Sequence, residues 1–471
     1  MEKNLSNTIL ILCLFIFLLR IPMAFNRPFD PDEFEHFHAA WKISQGERIY
    51  TDFFEHHPPM TYWLLQPFFL MTGDTMNTLY AARLLMVVLS GGIFFLNYLI
   101  ARNLWGPLIG AFSVLLLSTM IMFLEKSVEI RPDVPLTFCW LACLFLILKS
   151  LKRWDVGFFP AGLFLGLGLL FSPKVIFGYL GVLFALCILW YKERERGVAR
   201  FFFFHLGILM PTLIFIAWLL WSGTFADFWR TNVVFNAGMS GSLRGQLMRF
   251  ILRTSFFENI LFWLSGLLGI LAFLKFYKDL FREKVVLISS LIFLILGLFI
   301  NPVPHRQYYL LSLPILSMTG SLFLIMVFRK LFQKKSAFHI TVSSLLVFLL
   351  FLPLRDVYAQ FSKKNRGQRR FIEFVLNQTS PSDCVFDCWT GFNLFRRDAT
   401  YYYFLNLDIL RTVDRDELDD RLFEDLSKSN CKVAILNNYF SVLPERVQRF
   451  INRYYSPSEQ NSLVWIRNPD P

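Results

Sequence analysis

Residues 30–37 read DPDEFEHF, placing Asp30, Asp32, Glu33, Glu35 and His36 within one short stretch of a chain whose formal net charge is +12. A carboxylate held beside a hydroxyl can take its proton, so this stretch is a candidate for general base chemistry. The same residues also spell the start of a helix. Asp is favoured at the N-cap, Pro at the first helical position, and Glu two positions later completes a capping box. That accounts for Asp30, Pro31 and Glu33 and leaves Asp32 as the carboxylate the cap does not require. Glu35 and His36 read as ordinary solvated residues.

Further along, residues 52–59 read DFFEHHPP. Glu55, His56 and His57 are acid/base candidates or ligands for a divalent metal ion, since imidazole and carboxylate suit such an ion. Three more stretches put polar groups at the ends of apolar runs: EIRPD (Glu129, Arg131, Asp133), FSPK (Lys174) and PHRQYY (His305, Arg306, Tyr308, Tyr309). Arginine and lysine in number suit a phosphate. Taken together these groups describe a site for an anionic lipid substrate.

What must position them is a membrane domain. Of the 471 residues 55% are hydrophobic, and the mean hydropathy is +0.47. Apolar runs recur near 8–25, 82–100, 107–124, 134–149, 157–171, 175–190, 201–222, 259–274, 285–300, 310–328 and 337–354. Each approaches the ~20 residues a helix needs to cross the hydrocarbon layer. The pair 157–171 and 175–190 is short enough for a re-entrant hairpin. The fold class expected is an α-helical polytopic membrane protein with about eleven spans.

The basic residues cluster in alternate loops: Lys149, Lys152 and Arg153; Lys192, Arg194, Arg196 and Arg200; Lys275, Lys278, Arg282 and Lys284; Arg329, Lys330, Lys334 and Lys335. The positive-inside rule makes those loops cytoplasmic. The protein is then expected in the plasma (inner) membrane, N-terminus inside and C-terminal region periplasmic or extracellular. The isoelectric point near 9.4 thus reports topology. No single soluble basic face points to nucleic acid. The first run has a weak basic start and no clear small-residue cleavage site, so it reads as an anchor rather than a signal peptide.

Three regions fall on the outer side. In residues 26–81, Phe34, Phe37 and Trp41 form an apolar stripe, which predicts an amphipathic helix pressed on the lipid surface and ended by Gly46. MTYWLLQPFFLM after Pro58-Pro59 predicts a second interfacial helix. Residues 223–258 predict a mobile loop with Phe225, Phe228, Trp229 and Phe235. The transmembrane domain is expected over 1–355 and a small external α/β domain over 356–471, with strands at CVFDCW, CKVAIL and SLVWIR and a helix at DRDELDDRLFEDL. Cys13, Cys139, Cys143 and Cys187 lie in apolar runs and read as packing residues. One disulfide is open to Cys384, Cys388 and Cys431. The tail carries no nucleotide loop or nucleophile signature.

The order of these motifs resembles the dolichyl-phosphate-mannose protein mannosyltransferase superfamily and its bacterial relatives, the lipid A aminoarabinose transferases. Asp32-Glu33 is similar to their DE motif. Glu55 through Pro59, with Tyr62 and Trp63, is similar to a second signature, and Arg131 with Asp133 to the pair opening the fourth span. Phe171-Ser172-Pro173-Lys174 is similar to a Leu-Thr-Lys loop, and Arg306-Gln307-Tyr308 through Pro314 to an Arg-x-Tyr…Pro stretch. The resemblance covers about residues 8–355 and implies a C-type glycosyltransferase fold acting on a polyprenyl-phosphate-linked sugar donor. It implies Asp32 as base or acceptor-orienting carboxylate with Glu33 in support. Glu55, with His56 or His57, would bind a divalent metal or the acceptor; Lys174, Arg131 and Arg306 would hold the carrier phosphate. Two histidines stand where the aminoarabinose transferases carry a lysine, and residues 223–258 have no histidine to complete a metal site.

Two other classes compete. A transporter or lipid flippase would place its charges near the middle of broken helices, whereas here they sit at the ends of apolar runs. A scaffold binding partners through its tail leaves Asp32, Glu55, Lys174 and Arg306 without a role.

Overall fold

The computed structural model describes residues 2–151, 155–239, 259–300, 305–331 and 364–469, with scattered positions between 340 and 362. Two compact units result: Met1–Phe25, Arg83–Phe215 and Gly241–Ser362 form the first, and Asn26–Ala82, Ile216–Ser240 and Lys363–Pro471 the second.

The helices, in chain order, begin with α1 (Glu2–Leu18), α2 (Arg20–Asn26), α3 (Pro31–Ser44), α4 (Met60–Thr72) and α5 (Met76–Trp105). Next come α6 (Pro107–Thr119), α7 (Ile121–Lys126), α8 (Asp133–Ser150), α9 (Phe158–Phe171), α10 (Ile176–Glu193) and α11 (Glu195–Trp221). They continue with α12 (Phe225–Phe228), α13 (Phe235–Gly238), α14 (Ile260–Phe276), α15 (Phe281–Ile300) and α16 (Leu313–Leu331). The tail adds α17 (Arg366–Gln378), α18 (Leu407–Thr412), α19 (Arg415–Ser429) and α20 (Glu445–Tyr454).

Among the described residues seven helical segments are long and apolar enough to cross a membrane: Glu2–Asn26, Met76–Trp105, Asp133–Ser150, Pro173–Glu193, Gly197–Trp221, Lys278–Ile300 and Leu313–Lys330. Pro107–Thr119, Phe158–Phe171 and Ile260–Phe276 are apolar but shorter. These helices coincide with the expected spans up to residue 328. The last expected span, 337–354, lies largely outside the described residues, as do Lys152, Arg153, Lys334, Lys335 and residues 240–258 of the expected loop.

In the first unit α14 packs on α16, α8 on α9, α10 on α15, and α6 on both α1 and α16. Small residues bring the backbones together, as is usual where lipid offers no hydrophobic driving force between helices. A β carbon on Gly269 of α14 would lie 1.9 Å from the Thr319 carbonyl oxygen of α16. Asn97 of α5 donates through Nδ2 to Ser113 of α6 at 3.1 Å and to Ser317 of α16 at 3.2 Å, tying three helices together inside the bundle.

The second unit contains a five-stranded sheet of β1 (Cys384–Asp387), β2 (Arg397–Asp398), β3 (Val433–Ile435), β4 (Tyr455–Ser458) and β5 (Asn461–Arg467), in the order β2-β1-β3-β5-β4. β1 runs parallel to β2 and β3, and β5 antiparallel to β3 and β4. Val375 of α17 covers one face with Val385, Val433 and Ile435. Leu418, Leu422 and Leu426 of α19 and Val447 and Ile451 of α20 join Phe386 and Ala434 in the other core. Cys384 and Cys431 form a disulfide, leaving Cys388 free and buried.

Helix α3 corrects one expectation. Phe34 and Phe37 do not face lipid: both are fully buried. The Phe34 ring lies 5.7 Å from Phe392, and the Phe37 ring 5.7 Å from Phe395. A sequence shows that a helix face is apolar, not which apolar partner covers it. Here the partner is the tail, which packs with residues 26–82 in the same unit. Gly391 (φ +74°) allows the closest approach, since a β carbon there would meet Phe34 Cβ at 2.3 Å. α4, in contrast, ends with Leu70 and Met71 largely exposed, as an interfacial helix would.

Candidate functional site

The start of α3 is built as the capping pattern requires. Asp30 sits at the N-cap, and its carboxylate accepts from Asp32 N at 3.2 Å while Asp30 N donates to Glu33 Oε1 at 3.0 Å. Glu33 is fully buried in this exchange, whereas Asp32 stays partly accessible. Glu33 thereby holds the first turn of the helix that carries Asp32.

One turn further on lies a second correction. Glu35 and His36 are not solvated; both are buried. Glu35 joins Glu55, His56 and His57 in a group whose candidate ligand atoms all lie within 4.8 Å of one another. Glu55 Oε1 accepts from the backbone N–H of His56 and His57 at 2.9 and 3.0 Å and from His57 Nδ1 at 2.8 Å. Tyr403 of the tail donates to Glu55 Oε2 at 3.3 Å, and Tyr62 OH lies 3.3 Å from His36 Nδ1. Burial first, and the Glu55 charge second, hold the Tyr50, Tyr62 and Tyr403 phenols well above their ordinary pKa. They therefore act as neutral donors.

The segment 225–238 frames the same turn. Between α12 and α13 the backbone forms a π-helix, Trp229–Val234. Asn232 Nδ2 donates to the Glu55 carbonyl at 3.2 Å and Asn236 Nδ2 to the His56 carbonyl at 2.9 Å.

Two imidazoles and two carboxylates fit a zinc-like ion chemically. Ligands about 2.1 Å from one ion lie no more than about 4.2 Å apart, so the group would close by roughly half an ångström on binding. Glu35 stands where a further histidine from 223–258 was expected to be needed; His305 lies in the other unit.

Sequence reasoning also missed a buried ionic knot at the other end of α3. Asp398 of β2 accepts from Lys42 at 2.6 Å, His38 Nε2 at 3.0 Å and Asn393 at 2.5 Å, and Lys42 also meets Glu47 at 2.9 Å. Burial alone would lower the Lys42 pKa and raise that of Asp398. Attraction outweighs it, so Lys42 is held above its ordinary value and Asp398, between His38 and Lys42, below. The spacing His38, Lys42 on one helix face was a legible signal; the partner 360 residues away was not.

The first unit gathers the remaining expected residues. Arg131 Nε lies 2.6 Å from Glu129, which Lys126 also meets at 2.8 Å. Lys174, in the 3-10 turn Pro173–Val175, lies 2.9 Å from Asp133 and 3.6 Å above the Tyr308 ring. Arg306, at the head of the 3-10 helix Arg306–Leu311, meets Glu125 at 3.0 Å.

Residues 56–221 match the sequence profile of the Dolichyl-phosphate-mannose-protein mannosyltransferase family. Among solved structures, ArnT from Cupriavidus metallidurans in the apo state aligns over 98% of this chain and 99% of its own, with TM-score 0.66 and 14% identity. Its complex with undecaprenyl phosphate gives TM-score 0.64 over the same shares at 14% identity. These findings show that the chain shares the fold of ArnT and that residues 56–221 are similar to the mannosyltransferase family. The Archaeoglobus fulgidus oligosaccharyltransferase shares this fold more distantly, aligning over 97% of the present chain and 74% of its own at TM-score 0.55 and 12% identity; it has also been solved with zinc and sulfate. No curated protein sequence matches.

Proposed function

We propose that the protein transfers a sugar from a polyprenyl-phosphate donor to an acceptor on the outer side of the plasma membrane, with Asp32 as the base. The observation that carries this reading is the division of labour at the start of α3. Asp30 and Glu33 complete the cap, and Asp32 remains partly accessible on the same turn. Asp32 takes the proton of the acceptor hydroxyl or phosphate. The acceptor oxygen forms its bond to the anomeric carbon as the bond to the carrier phosphate breaks, and the electron pair leaves with the phosphate. Attack opposite the leaving group inverts the anomeric centre.

Arg131, Lys174 and Arg306 hold the carrier phosphate as charge develops on it. Asp133 and the Tyr308 ring orient Lys174 for that task. ArnT has been solved with undecaprenyl phosphate bound, which supports a polyprenyl carrier. Glu35, Glu55, His56 and His57 would hold a divalent metal ion. When bound, it would supply positive charge to the acceptor. The Cys384–Cys431 disulfide supports an outer, oxidising location for the tail.

The test is direct. The purified protein is incubated with a polyprenyl-phosphate sugar and fractionated envelope acceptors, and the products of wild type and Asp32→Asn are compared by mass and anomeric configuration. Transfer undiminished in Asp32→Asn sinks the assignment of the base. A retained anomer sinks the single displacement, and lipid movement without transfer favours a flippase.

A further inference from the structure

The tail carries a groove that the transfer reaction does not use. Its cavity, about 590 Å³, is lined by Arg446, Arg449 and Arg453 of α20, by Arg467 of β5, and by the rings of Phe450 and Tyr454; no carboxylate lines it. The three helical arginines recur at i, i+3 and i+7, one face of α20. With a rise of 1.5 Å per residue their stems stand about 4.5 and 6 Å apart along the axis, steps comparable to one sugar ring.

Arg446 stacks on Phe423 at 3.8 Å and pairs with Asp420 at 3.0 Å. That ion pair is exposed, with Asp420 78% accessible, and so is weak. Arg453 lies over the Tyr454 ring at 5.4 Å. Among the described residues neither Arg449 nor Arg453 makes an ion pair. A larger cavity of about 630 Å³ at the end of α3 differs in kind, because Lys42, Arg397 and Arg421 there face Glu47, Asp52, Asp398 and Asp425. The charged residues that line the α20 groove are all arginines.

We infer that this groove binds an anionic saccharide chain, the guanidinium groups taking its carboxylate or phosphate oxygens and the aromatic edges its ring faces. Guanidinium forks match oxyanions two bonds at a time. Tyr and Phe present apolar faces beside them. A concave groove favours a chain lying within it over a flat lipid surface. The site is distinct from Asp32 and would be occupied whether or not sugar is being transferred.

Binding is measured on the full-length protein reconstituted in lipid nanodiscs free of detergent, without donor, so it can fail while transfer stands and the reverse. The probes are labelled oligogalacturonate, labelled polyol-phosphate oligomer, neutral maltooligosaccharide of equal length, and phosphatidylglycerol vesicles. The expected result is saturable binding of at least one anionic oligomer, weakened by salt, and none of the neutral one. The carboxylate and phosphodiester arms identify which anion is taken. Arg449→Glu with Arg453→Glu should lower affinity at least tenfold, as losing one charge-assisted contact already does so. The charge-matched pair Arg366→Glu with Arg370→Glu on α17 should keep it. Equal loss in both pairs, unchanged affinity in the groove pair, binding of neither anionic oligomer, or preference for vesicles over the oligomers overturns the inference.

Discussion

Lys42 Nζ and an Asp398 carboxylate oxygen lie 2.6 Å apart with both side chains almost fully buried, fastening α3 to the edge strand of the tail's sheet. Removing one member of such a pair leaves a buried charge without its partner, at a cost of about 3–5 kcal/mol. Asp398→Ala should therefore lower the thermal midpoint strongly, and Lys42→Met in the same chain should restore part of the loss. The pH dependence follows from the directions of the shifts. Asp398, depressed, contributes stability present above its unfolded value near 4 and lost as pH falls through its lower folded value. Lys42, raised, contributes stability that is complete below its unfolded value and lost as pH rises through the folded one. Melting should be insensitive to this pair at neutral pH and worsen at both extremes.

Asp387 behaves in the opposite sense. Burial pushes its carboxyl up to about 6, against the hydrogen bonds it accepts from Thr390 and Gly391. A raised folded value means stability that is present below the unfolded pKa and lost as pH rises through about 6. Asp387→Asn should flatten the slope of melting temperature between about pH 4 and 6. An unchanged slope would show that another group carries it.

The metal reading gives a measurement independent of activity. Protein purified without chelator should carry close to one divalent ion by elemental analysis. Glu55→Gln and Glu35→Gln should each reduce that occupancy by at least tenfold at a fixed free-metal concentration. Full occupancy in both variants would remove the site.

The cap and the proposed base are separable on α3. Asp30→Ala should cost about 1 kcal/mol of stability through the lost N-cap while most transfer activity persists. Asp32→Asn should leave the melting temperature within a degree or two and cut kcat/KM by about 10²–10⁴, the usual worth of a positioned base.

Lys174→Met should act on the donor. It removes a cation held between Asp133 and Tyr308, so kcat/KM for the polyprenyl-phosphate sugar should fall about ten- to a hundredfold, with acceptor KM unchanged. A change confined to acceptor KM would move Lys174 out of the donor role.

The sequence was legible where the physics is local. Apolar length marks a span whatever surrounds it, so the helices up to residue 328 stand where hydropathy put them. The Asp30–Glu33 cap is a three-residue rule and formed as such. The cysteine composition allowed one disulfide, but choosing Cys384 with Cys431 needed β1 beside β3. Glu35, His36, Phe34 and Phe37 were misread for a common reason: each faces a partner distant in sequence. Glu35 meets Glu55 and the histidines, and the phenylalanines meet Phe392 and Phe395. Hydrophobicity and charge give a residue's appetite for burial without naming its neighbour.

The 360 residues between His38 and Asp398 set an order of assembly. At about 5–20 residues per second of synthesis, α3 waits roughly 20–70 s before the strand that covers it has been made. During that interval Phe34, Phe37 and Lys42 have no tail to receive them, while the helices between are already entering the bilayer. Biogenesis thus keeps α3 unfinished until β2 has been made, and a chain cut short before β2 would lack the residues that bury Phe34, Phe37 and Lys42.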